Sequence, residues 1–536
     1  FSLSRRGVNA KQAHRIPAGR HRKGRRPQRR RTRKGKFLMS ISTSNLTSRL
    51  FTQAAAAGAV ALGIAGNASA ALADAASEPA STECDVLIIG AGGSGMAAAA
   101  TAAQEGASVI VLEKGDSQMG SSVLALGTFY GAGTELQKAA GIDDEPSALL
   151  DYFLSCNGDK LAYNIQKWAA ENYGRTIDWL TGDLQVPFKD TVSLKGKDTV
   201  ERGHNCANTA ADALSAVTDL AVSNGADLRF GIQATELVMD ESGAVTGVKA
   251  TDAEGNELTF TAKKTIIATG GFCRNDEMIA KYMPDYVGVY TEVGQGCTGE
   301  GLQMGLDKGA RYIGHGGTNG ILFCAVQTGQ SKLIAKNVLW LDKDGKRFVS
   351  EAGQTHDIYY QVAHFDGQHF YAVYDQAARD ALDEKLAEKF QKGLDDGIFA
   401  QADTVAEAAE ALGLPGDAFQ ESLDAYNAMC EAGEDTEFGK KAELLVPLTT
   451  APYYVLTMGV CTHGTFGGYE VNQDMQVMSE IGFPIPNLYA AGEVSCGSFI
   501  YDDYPAGGCG LNWAYTSGRF AGTNAAQAAL AEVDAQ

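Results

Sequence analysis

Short, mostly apolar runs that end at glycine recur along the chain. The first, residues 84–89, leads directly into the GAGGSG loop at 90–95. Continuous apolar runs of this length are typical of strands buried on both faces of a parallel sheet. The alanine-rich segment 96–105 predicts a helix, and residues 107–112 predict a second buried strand that ends at Glu113. Together these segments predict a complete β-α-β unit.

The same strand-to-glycine junction returns twice. Residues 265–268 predict a buried strand that runs into TGGF, and residues 488–491 lead into Gly492-Glu493. Residues 510–530 then predict a closing helix. Between the first two junctions the pattern predicts helices within 144–183 and 207–224, and a small meander of strands at 228–230, 235–239, 245–251 and 258–262.

The stretch from about 315 to 452 differs from the sequence on either side of it. It has fewer glycines, more Lys and Glu, a hairpin-like DKDGKRF segment, and charged helices from about 376 to 433. We therefore predict an inserted α+β domain at 315–452. The fold class is α/β, with a two-part Rossmann-like nucleotide-binding domain at 82–314 and 453–536.

Charge is distributed unevenly. Residues 1–38 hold 15 Lys and Arg and no acidic residue, so a net charge of −20 for the chain leaves −20 − 15 = −35 on residues 39–536. A body this acidic repels polyanions, so nucleic acid is not expected as a partner. We interpret 1–38 as a basic extension that is either not native or disordered.

Residues 39–81 resemble a secretory leader followed by a linker. Met39 begins a weakly basic stretch, a short apolar run follows, and Asn67-Ala68-Ser69-Ala70 supplies a small-residue cleavage site. Export to the periplasm or cell envelope is the favoured prediction, and a cytoplasmic location is the alternative. No later segment predicts a transmembrane helix.

The GAGGSG loop predicts a site for a dinucleotide. Gly90 permits a tight turn, Gly92 allows the backbone to approach a pyrophosphate, and Gly95 allows close packing of helix on strand. The helix N-terminus favours phosphate. Glu113 lies 23 residues beyond Gly90, near the spacing of ~20 expected for a carboxylate that binds ribose. The two later glycine junctions suit FAD, a long cofactor that crosses several strand ends, better than NAD.

The ordered set GAGGSG, Glu113-Lys114, ATGGF at 268–272, TGEG at 298–301, GKRFVSE at 345–351, LYAAGE at 488–493 and GRFAG at 518–522 resembles the fumarate reductase/succinate dehydrogenase flavoprotein superfamily. The resemblance implies a two-part FAD-binding domain, with the inserted domain acting as a mobile capping domain over a substrate pocket. The predicted FAD contacts are Gly90, Gly92, Gly95, Glu113, Lys114, Ser122, Gly127, Ala234, Thr269, Gly270, Gly492, Glu493, Gly508 and Leu511.

The substrate-binding arginines of fumarate reductases are missing from the matching segments. Residues 352–357 follow GKRFVSE without an arginine, and 501–508 read YDDYPAGG where those enzymes have an arginine that grips a carboxylate. The YPAGG segment instead resembles the Tyr-Pro-Gly-x-Gly motif of 3-ketosteroid dehydrogenases. That likeness implies that the Tyr504 hydroxyl and the Gly508 N–H hold a ketone oxygen and stabilise enolate charge.

Proton transfer has two histidine candidates. His356 follows GKRFVSE, where relatives place their proton-transfer residue, and an imidazole suits acid–base chemistry at neutral pH. His315 lies in GHGGT, where relatives often place a pocket histidine. His204 and His463 are weaker candidates. None of the ten cysteines forms a C-x-x-C pair, so no metal site is predicted.

The main functional hypothesis is an FAD-dependent reductase of an activated, mostly apolar small molecule, such as an enone or a related plant- or steroid-like compound. Its electrons are expected from a separate donor, either a redox protein or the quinone pool. One alternative is the reverse desaturation, as in a 3-ketosteroid dehydrogenase. The other is a non-catalytic flavin-binding protein that serves electron transfer.

Overall fold

The structure is a computed structural model that describes residues 81–158, 160–324, 335–353, 355–501 and 504–534. The side chains of 321–324, 355–357 and 533–534 lie outside that description. The predicted basic extension and leader, 1–38 and 39–81, also lie outside it except for Ser81. None of the described helices is both long enough and apolar enough to cross a bilayer.

The strands, in chain order, are β1 Glu83–Ile89, β2 Val109–Glu113, β3 Thr128–Tyr130, β4 Phe188–Ser193, β5 Gly203–Cys206, β6 Asp227–Phe230, β7 Gln233–Met239, β8 Val245–Thr251, β9 Glu257–Ile267, β10 Tyr290–Thr291, β11 Tyr312–Ile313, β12 Gly320–Cys324, β13 Leu339–Leu341, β14 His369–Asp375, β15 Phe399–Ala402, β16 Tyr453–Thr462, β17 Gly468–Tyr469, β18 Gln476–Met478 and β19 Pro484–Ala490.

The α-helices are α1 Gly93–Gln104, α2 Ser121–Leu124, α3 Glu135–Ala139, α4 Pro146–Asn157, α5 Tyr163–Asp178, α6 Ala210–Ser223, α7 Asp276–Tyr282, α8 Glu300–Leu306, α9 Thr355–Ala363, α10 Gln376–Asp380, α11 Glu384–Asp395, α12 Val405–Ala411, α13 Gly416–Ala432 and α14 Cys509–Asp534. A π-helical turn at Trp179–Asp183 continues α5, and 3-10 turns occur at Pro284–Tyr286, Asp366–Gln368, Ala442–Leu444 and Gly492–Ser498.

The largest sheet joins strands from both ends of the described chain. Its order is β18-β19-β9-β1-β2-β6, with β19, β9, β1, β2 and β6 mutually parallel and β8 paired with β9. In register, Ile89 of β1 lies beside Leu112 of β2 and Ile267 of β9. The carboxyl ends of the parallel strands therefore meet at one edge of the sheet, where ligands bind in open α/β folds.

The first and last helices, α1 and α14, pack closely against each other. A side chain at Gly518 would come within 2.3 Å of the Ser94 carbonyl oxygen, and one at Gly522 within 2.2 Å of the Ala98 carbonyl oxygen. The Thr101 hydroxyl donates a 3.0 Å hydrogen bond to the Arg519 carbonyl across the contact. Small residues on both helices thus fix the closing helix beside the first β-α-β unit.

A second sheet is organised around β16. This strand pairs with β10 in parallel and with β12, β14 and β15 antiparallel, while β13 pairs with β14. Two of its strands, β10 and β16, lie outside the range 315–452, on either side of it. The limits 315 and 452 for the capping domain therefore stay a prediction. Two smaller sheets pair β3, β4 and β5, and β11 with β17.

The structure corrects two details of the predicted meander. The run 258–262 and the buried strand at 265–268 are one strand, β9, which crosses Lys263 and Lys264 without a break. The run 228–230 belongs to β6, which pairs in parallel with β2 and not with the meander. The segments predicted between 376 and 433 as charged helices are α10 to α13, with the unpredicted strand β15 among them.

A buried charge cluster holds the GKRFVSE segment in place. Arg347 donates to both oxygens of Glu351 at 2.9 and 3.0 Å and to both oxygens of Asp435 at 2.7 and 2.9 Å. Lys440 lies 3.2 Å from Glu351, and the side chains of all four residues are at most 4% exposed. Ion pairs with Arg347 hold the pKa of Asp435 below its ordinary value, although burial alone would raise it.

Replacing Arg347 with methionine should destabilise the protein by about 3–5 kcal/mol, because it leaves two buried carboxylates with one lysine. The measurement is the free energy of unfolding in urea. The control is Arg311→Met, since Arg311 is 49% exposed and its pair with Glu470 is solvated, so its loss should change that free energy by at most ~1 kcal/mol. Equal losses in the two variants would contradict a structural role for the buried cluster.

Candidate functional site

A cavity of about 390 Å³ lies at the carboxyl edge of the parallel sheet. Its walls come from the segments after β1, β2, β9 and β19 and from the start of α14. Its volume is typical of a small-molecule site. The predicted residues that line it are Gly90, Gly92, Glu113, Lys114, Ser122, Gly127, Ala234, Thr269, Gly270, Glu493, Tyr504, Gly508 and Leu511.

The three glycines of the first loop that were predicted to contact FAD, Gly90, Gly92 and Gly95, have different environments. Gly90 has a φ of +101°, and a side chain there would meet the Ala268 carbonyl oxygen at 2.6 Å. Gly95 lies away from the cavity wall, where an added Cβ would lie 1.9 Å from the Gly90 carbonyl oxygen. Gly90 and Gly95 are therefore required by the turn and by close packing of α1, as the sequence predicts.

Gly92 is not required by the protein itself. Its φ of −75° and ψ of −175° are extended values that any residue adopts. A Cβ at Gly92 would meet no protein atom within 4 Å, and the same holds at Gly507, another glycine of the cavity wall with no positive φ. The walls thus leave room that a bound group fills, and the position of Gly92 at the start of α1 suits a pyrophosphate.

Glu113 lies at the end of β2 with 7% exposure. Its carboxylate accepts 3.0 Å hydrogen bonds from the N–H groups of Ala91 and Gly115, which fix it at the wall of the cavity. Next to it, Lys114 pairs with Glu300 at 3.1 Å. Such a fixed carboxylate fits the ribose of a dinucleotide.

Residues of the connecting segments are held by a hydrogen bond or by close packing. The Ser122 hydroxyl accepts from the Gly93 N–H at 3.1 Å, and a side chain at Gly301 would meet the Thr269 hydroxyl oxygen at 2.0 Å. Gly127 has a φ of +85°, and a side chain there would meet Cys206 at 2.9 Å. Ser122, Gly127 and Thr269 all line the cavity.

Gly492 and Glu493 have different roles. Gly492 is not part of the cavity wall: its N–H donates to the Ser517 hydroxyl at 2.9 Å, and a side chain there would meet the Ser94 hydroxyl at 2.4 Å. Glu493 does line the cavity and accepts 2.8 Å and 3.1 Å hydrogen bonds from the backbone and side chain of Thr465. Burial raises the pKa of Glu493 above its ordinary value.

Tyr504 lies beside the start of α14. Its hydroxyl oxygen accepts a 2.9 Å hydrogen bond from the Gly510 N–H, and its ring stacks on Phe466 with centroids 5.6 Å apart. No acceptor for its proton is present among the described residues, so the O–H is free to donate into the cavity. Burial raises the pKa of Tyr504, which keeps it protonated. Gly508, with a φ of +108°, lines the same wall.

Three of the four candidate histidines, His204, His315 and His463, have described side chains. His315 is absent from the cavity wall, and its ring stacks on Tyr501 at 5.1 Å. His356 lies in α9, but its side chain is outside the described part of the structure. His204 is buried against Thr134 and the Arg202 carbonyl, and burial lowers its pKa to about 4. His204 is therefore structural.

One pair in the cavity wall was not predicted. His463, a weak candidate from sequence, lies 2.9 Å from the Glu292 carboxylate, and both residues line the cavity. Glu292 had no motif to mark it, although it lies six residues before TGEG. Lys114 and Lys195 are the lysines of the described wall, and no arginine is among the wall residues.

Comparison with known proteins agrees with this geometry. The FAD binding domain family matches residues 85–511. Urocanate reductase of Eggerthella lenta is 30% identical over 466 residues, which are 84% of this chain and 76% of that protein. The open conformation of a flavocytochrome c3 fumarate reductase aligns with a TM-score of 0.72 at 25% identity, covering 84% of this chain and 79% of that one.

A second solved structure is similar over nearly its whole length. The 3-ketosteroid-Δ4-(5α)-dehydrogenase of Rhodococcus jostii RHA1, solved with 4-androstene-3,17-dione, aligns with a TM-score of 0.68 at 26% identity over 83% of this chain and 97% of that one. The family match spans most of the chain and both halves of the cavity wall. The chain therefore belongs to the FAD binding domain family, within the fumarate reductase/succinate dehydrogenase flavoprotein superfamily, and is an FAD-dependent oxidoreductase.

Proposed function

We propose that this protein reduces an activated carbon–carbon double bond in a mostly apolar small molecule, such as an enone or a related plant- or steroid-like compound. FAD, when bound, supplies the hydride. Tyr504 carries the proposal, because its hydroxyl is fixed by Gly510, faces the cavity and has its proton free to donate. Together with the Gly508 N–H, it would bind a substrate oxygen and stabilise the negative charge that develops there.

The wall of the cavity supports an apolar substrate. Leu124, Leu126, Phe466 and Ile500 line it, and the absence of arginine from its described wall argues against a dicarboxylate. The similarity to a steroid dehydrogenase also points to a ring-shaped, largely apolar ligand. That similarity makes the reverse desaturation the second candidate function.

Residues from both parts of the FAD-binding domain, before and after the inserted segment, would hold FAD. Gly92 and the start of α1 would take the pyrophosphate, Glu113 the ribose, and the segments at Thr269 and Glu493 the remainder of the cofactor. A separate electron carrier, either a redox protein or a quinone, is proposed as the donor. Export through the leader stays a prediction.

The direct test is anaerobic titration of the reduced protein with a panel of compounds. The panel contains enones including 4-androstene-3,17-dione, unsaturated acids including fumarate and urocanate, and benzylic alcohols. We expect enones to reoxidise the flavin, as followed by its visible absorbance, and the acids to leave it reduced. Oxidised protein that bleaches an electron-accepting dye only with a saturated ketone would favour desaturation. Flavin that stays reduced with every compound would contradict the proposed reduction and favour an electron-transfer protein.

A further inference from the structure

We propose that His463 donates the proton that completes the reduction, and that Glu292 is its positioning residue. The inference rests on the proposed function and supplies the proton source that this function lacks. Reduction of a double bond needs a hydride at one carbon and a proton at the other, so an acid must lie in the same cavity as the oxygen-binding groups.

The two residues are held together by backbone as well as side-chain contacts. Glu292 follows β10 directly, and its N–H donates a 3.1 Å hydrogen bond to the Thr462 carbonyl, next to His463. The His463 N–H donates to the Asn319 carbonyl at 2.9 Å. The 2.9 Å contact between Nε2 and the Glu292 carboxylate is therefore built on two fixed strands.

The second ring nitrogen is available for chemistry. His463 Nδ1 has no hydrogen-bond partner among the described residues, and the side chain is 31% exposed, with the residue in the cavity wall. A carboxylate on one nitrogen fixes the ring orientation and leaves the other nitrogen to face a substrate. The hydrogen bond to His463 correspondingly lowers the pKa of Glu292.

The same segment connects the acid to the oxygen-binding site. Phe466, three residues after His463, stacks on the Tyr504 ring, and its N–H donates to the Gly317 carbonyl at 2.8 Å. The segment that presents His463 is thus packed directly against the residue that is proposed to polarise the substrate. Acid and oxygen-binding groups face one cavity from neighbouring parts of its wall.

The proposed reduction adds a hydride and a proton to the two carbons of the double bond. The carbon–carbon π bond breaks, and the carbon remote from the activating oxygen takes the hydride with its electron pair. Charge collects on the oxygen held by Tyr504 and the Gly508 N–H. The carbon next to the carbonyl then takes a proton from His463 Nδ1, which forms the second C–H bond and leaves a neutral imidazole. Water restores that proton, with Glu292 ionised throughout.

A metal-binding site is the alternative interpretation of the contact between Glu292 and His463. The Cys461 sulfur and the ligand atoms of Glu292 and His463 lie within 4.8 Å of one another. However, Cys461 is fully buried, and that burial raises the pKa of its thiol. The hydrogen bond between Glu292 and His463 accounts for the pair without an ion. Metal analysis of the purified protein therefore belongs to the test.

The experiment compares His463→Gln and Glu292→Gln with a matched control, His364→Gln. His364 is 42% exposed and lies 3.9 Å from Asp285, which is not a wall residue. With the enone that the wild type reduces fastest, we expect kcat to fall about 100-fold in His463→Gln. KM, flavin content and Tm should change little. The His364→Gln variant should retain the wild-type kcat.

The Glu292→Gln variant separates positioning from folding through the split between kcat and KM. The groups that face His463 are Glu292, Glu493 and Cys461. An amide cannot hold the imidazole as firmly as a carboxylate does, so kcat should fall in this variant. KM, flavin content and Tm should stay near the wild-type values.

A readout independent of hydride transfer is exchange of the α-hydrogen of the saturated ketone in D2O with oxidised protein, measured by mass spectrometry. His463→Gln should slow this exchange and His364→Gln should not. A His463→Gln variant within threefold of wild type, or stoichiometric zinc in the purified protein, would overturn the assignment. If that variant still reduces enones and Tyr504→Phe does not, this inference fails alone. If the wild type reduces no enone, both proposals fail.

Discussion

Replacing Gly92 with valine should yield a folded protein that does not retain FAD. The backbone at Gly92 is extended and a Cβ there meets no protein atom within 4 Å, so the protein leaves room for a side chain to begin at this position. It would instead project into the cavity beside the start of α1, where we place the pyrophosphate. Because that contact depends on backbone N–H groups, a branched side chain blocks it directly.

We expect flavin content to fall from about one per chain to below about one-tenth, since the loss of several phosphate contacts exceeds the ~1.4 kcal/mol that changes affinity tenfold. The measurement is the ratio of flavin to protein absorbance, with circular dichroism as the test of folding. Gly182→Val is the control, because Gly182 also has open space around its Cβ and no positive φ but is not part of the cavity wall. Full flavin content in Gly92→Val would show that the pyrophosphate lies elsewhere.

The fold could be predicted where local pattern and tertiary environment agree. The run 84–89 is apolar apart from Asp85 because β1 is buried between two parallel strands, and the glycine that ends it is required by a φ of +101°. The prediction failed at Lys263 and Lys264, where two charges suggested a break. In the structure Lys264 is 4% exposed, yet its amine pairs with Glu532 and Asn487 from distant segments. Those partners are not visible in a local window of sequence.

Part of the candidate site could likewise be predicted from the sequence, and part of it could not. Glycine junctions mark the strand ends that line the cavity, so most predicted FAD contacts are found in its wall. Glu292 and His463 are 171 positions apart in the sequence, and their contact depends on the parallel pairing of β10 with β16. That pairing joins only two residues of each strand, and no hydrophobic pattern in the sequence predicts it. The GHGGT motif predicts His315 as a pocket residue, but its ring stacks on Tyr501 and His315 is not among the wall residues.

Replacing Tyr504 with phenylalanine should lower kcat for enone reduction by about 10²–10³-fold, the usual cost of one donor to a developing oxyanion. The ring would still stack on Phe466, so the packing of this wall should persist. The Gly510 N–H would lose its hydrogen-bond acceptor. This loss should destabilise the protein only slightly, because Gly510 lies at the start of a helix, where N–H groups lack helical partners. Flavin content and Tm should therefore remain near the wild-type values.

The pH profile tests whether the Tyr504 hydroxyl acts as a protonated donor. Burial raises the pKa of Tyr504 above its ordinary value, so its proton stays in place throughout the range from pH 6 to 9. The Tyr504→Phe variant should therefore be slower by the same factor at every pH in that range. Tyr163→Phe, at a residue that is 57% exposed, should leave kcat unchanged. A Tyr504→Phe rate within threefold of wild type, or a slowing that changes with pH in that range, would contradict oxygen binding by this protonated hydroxyl.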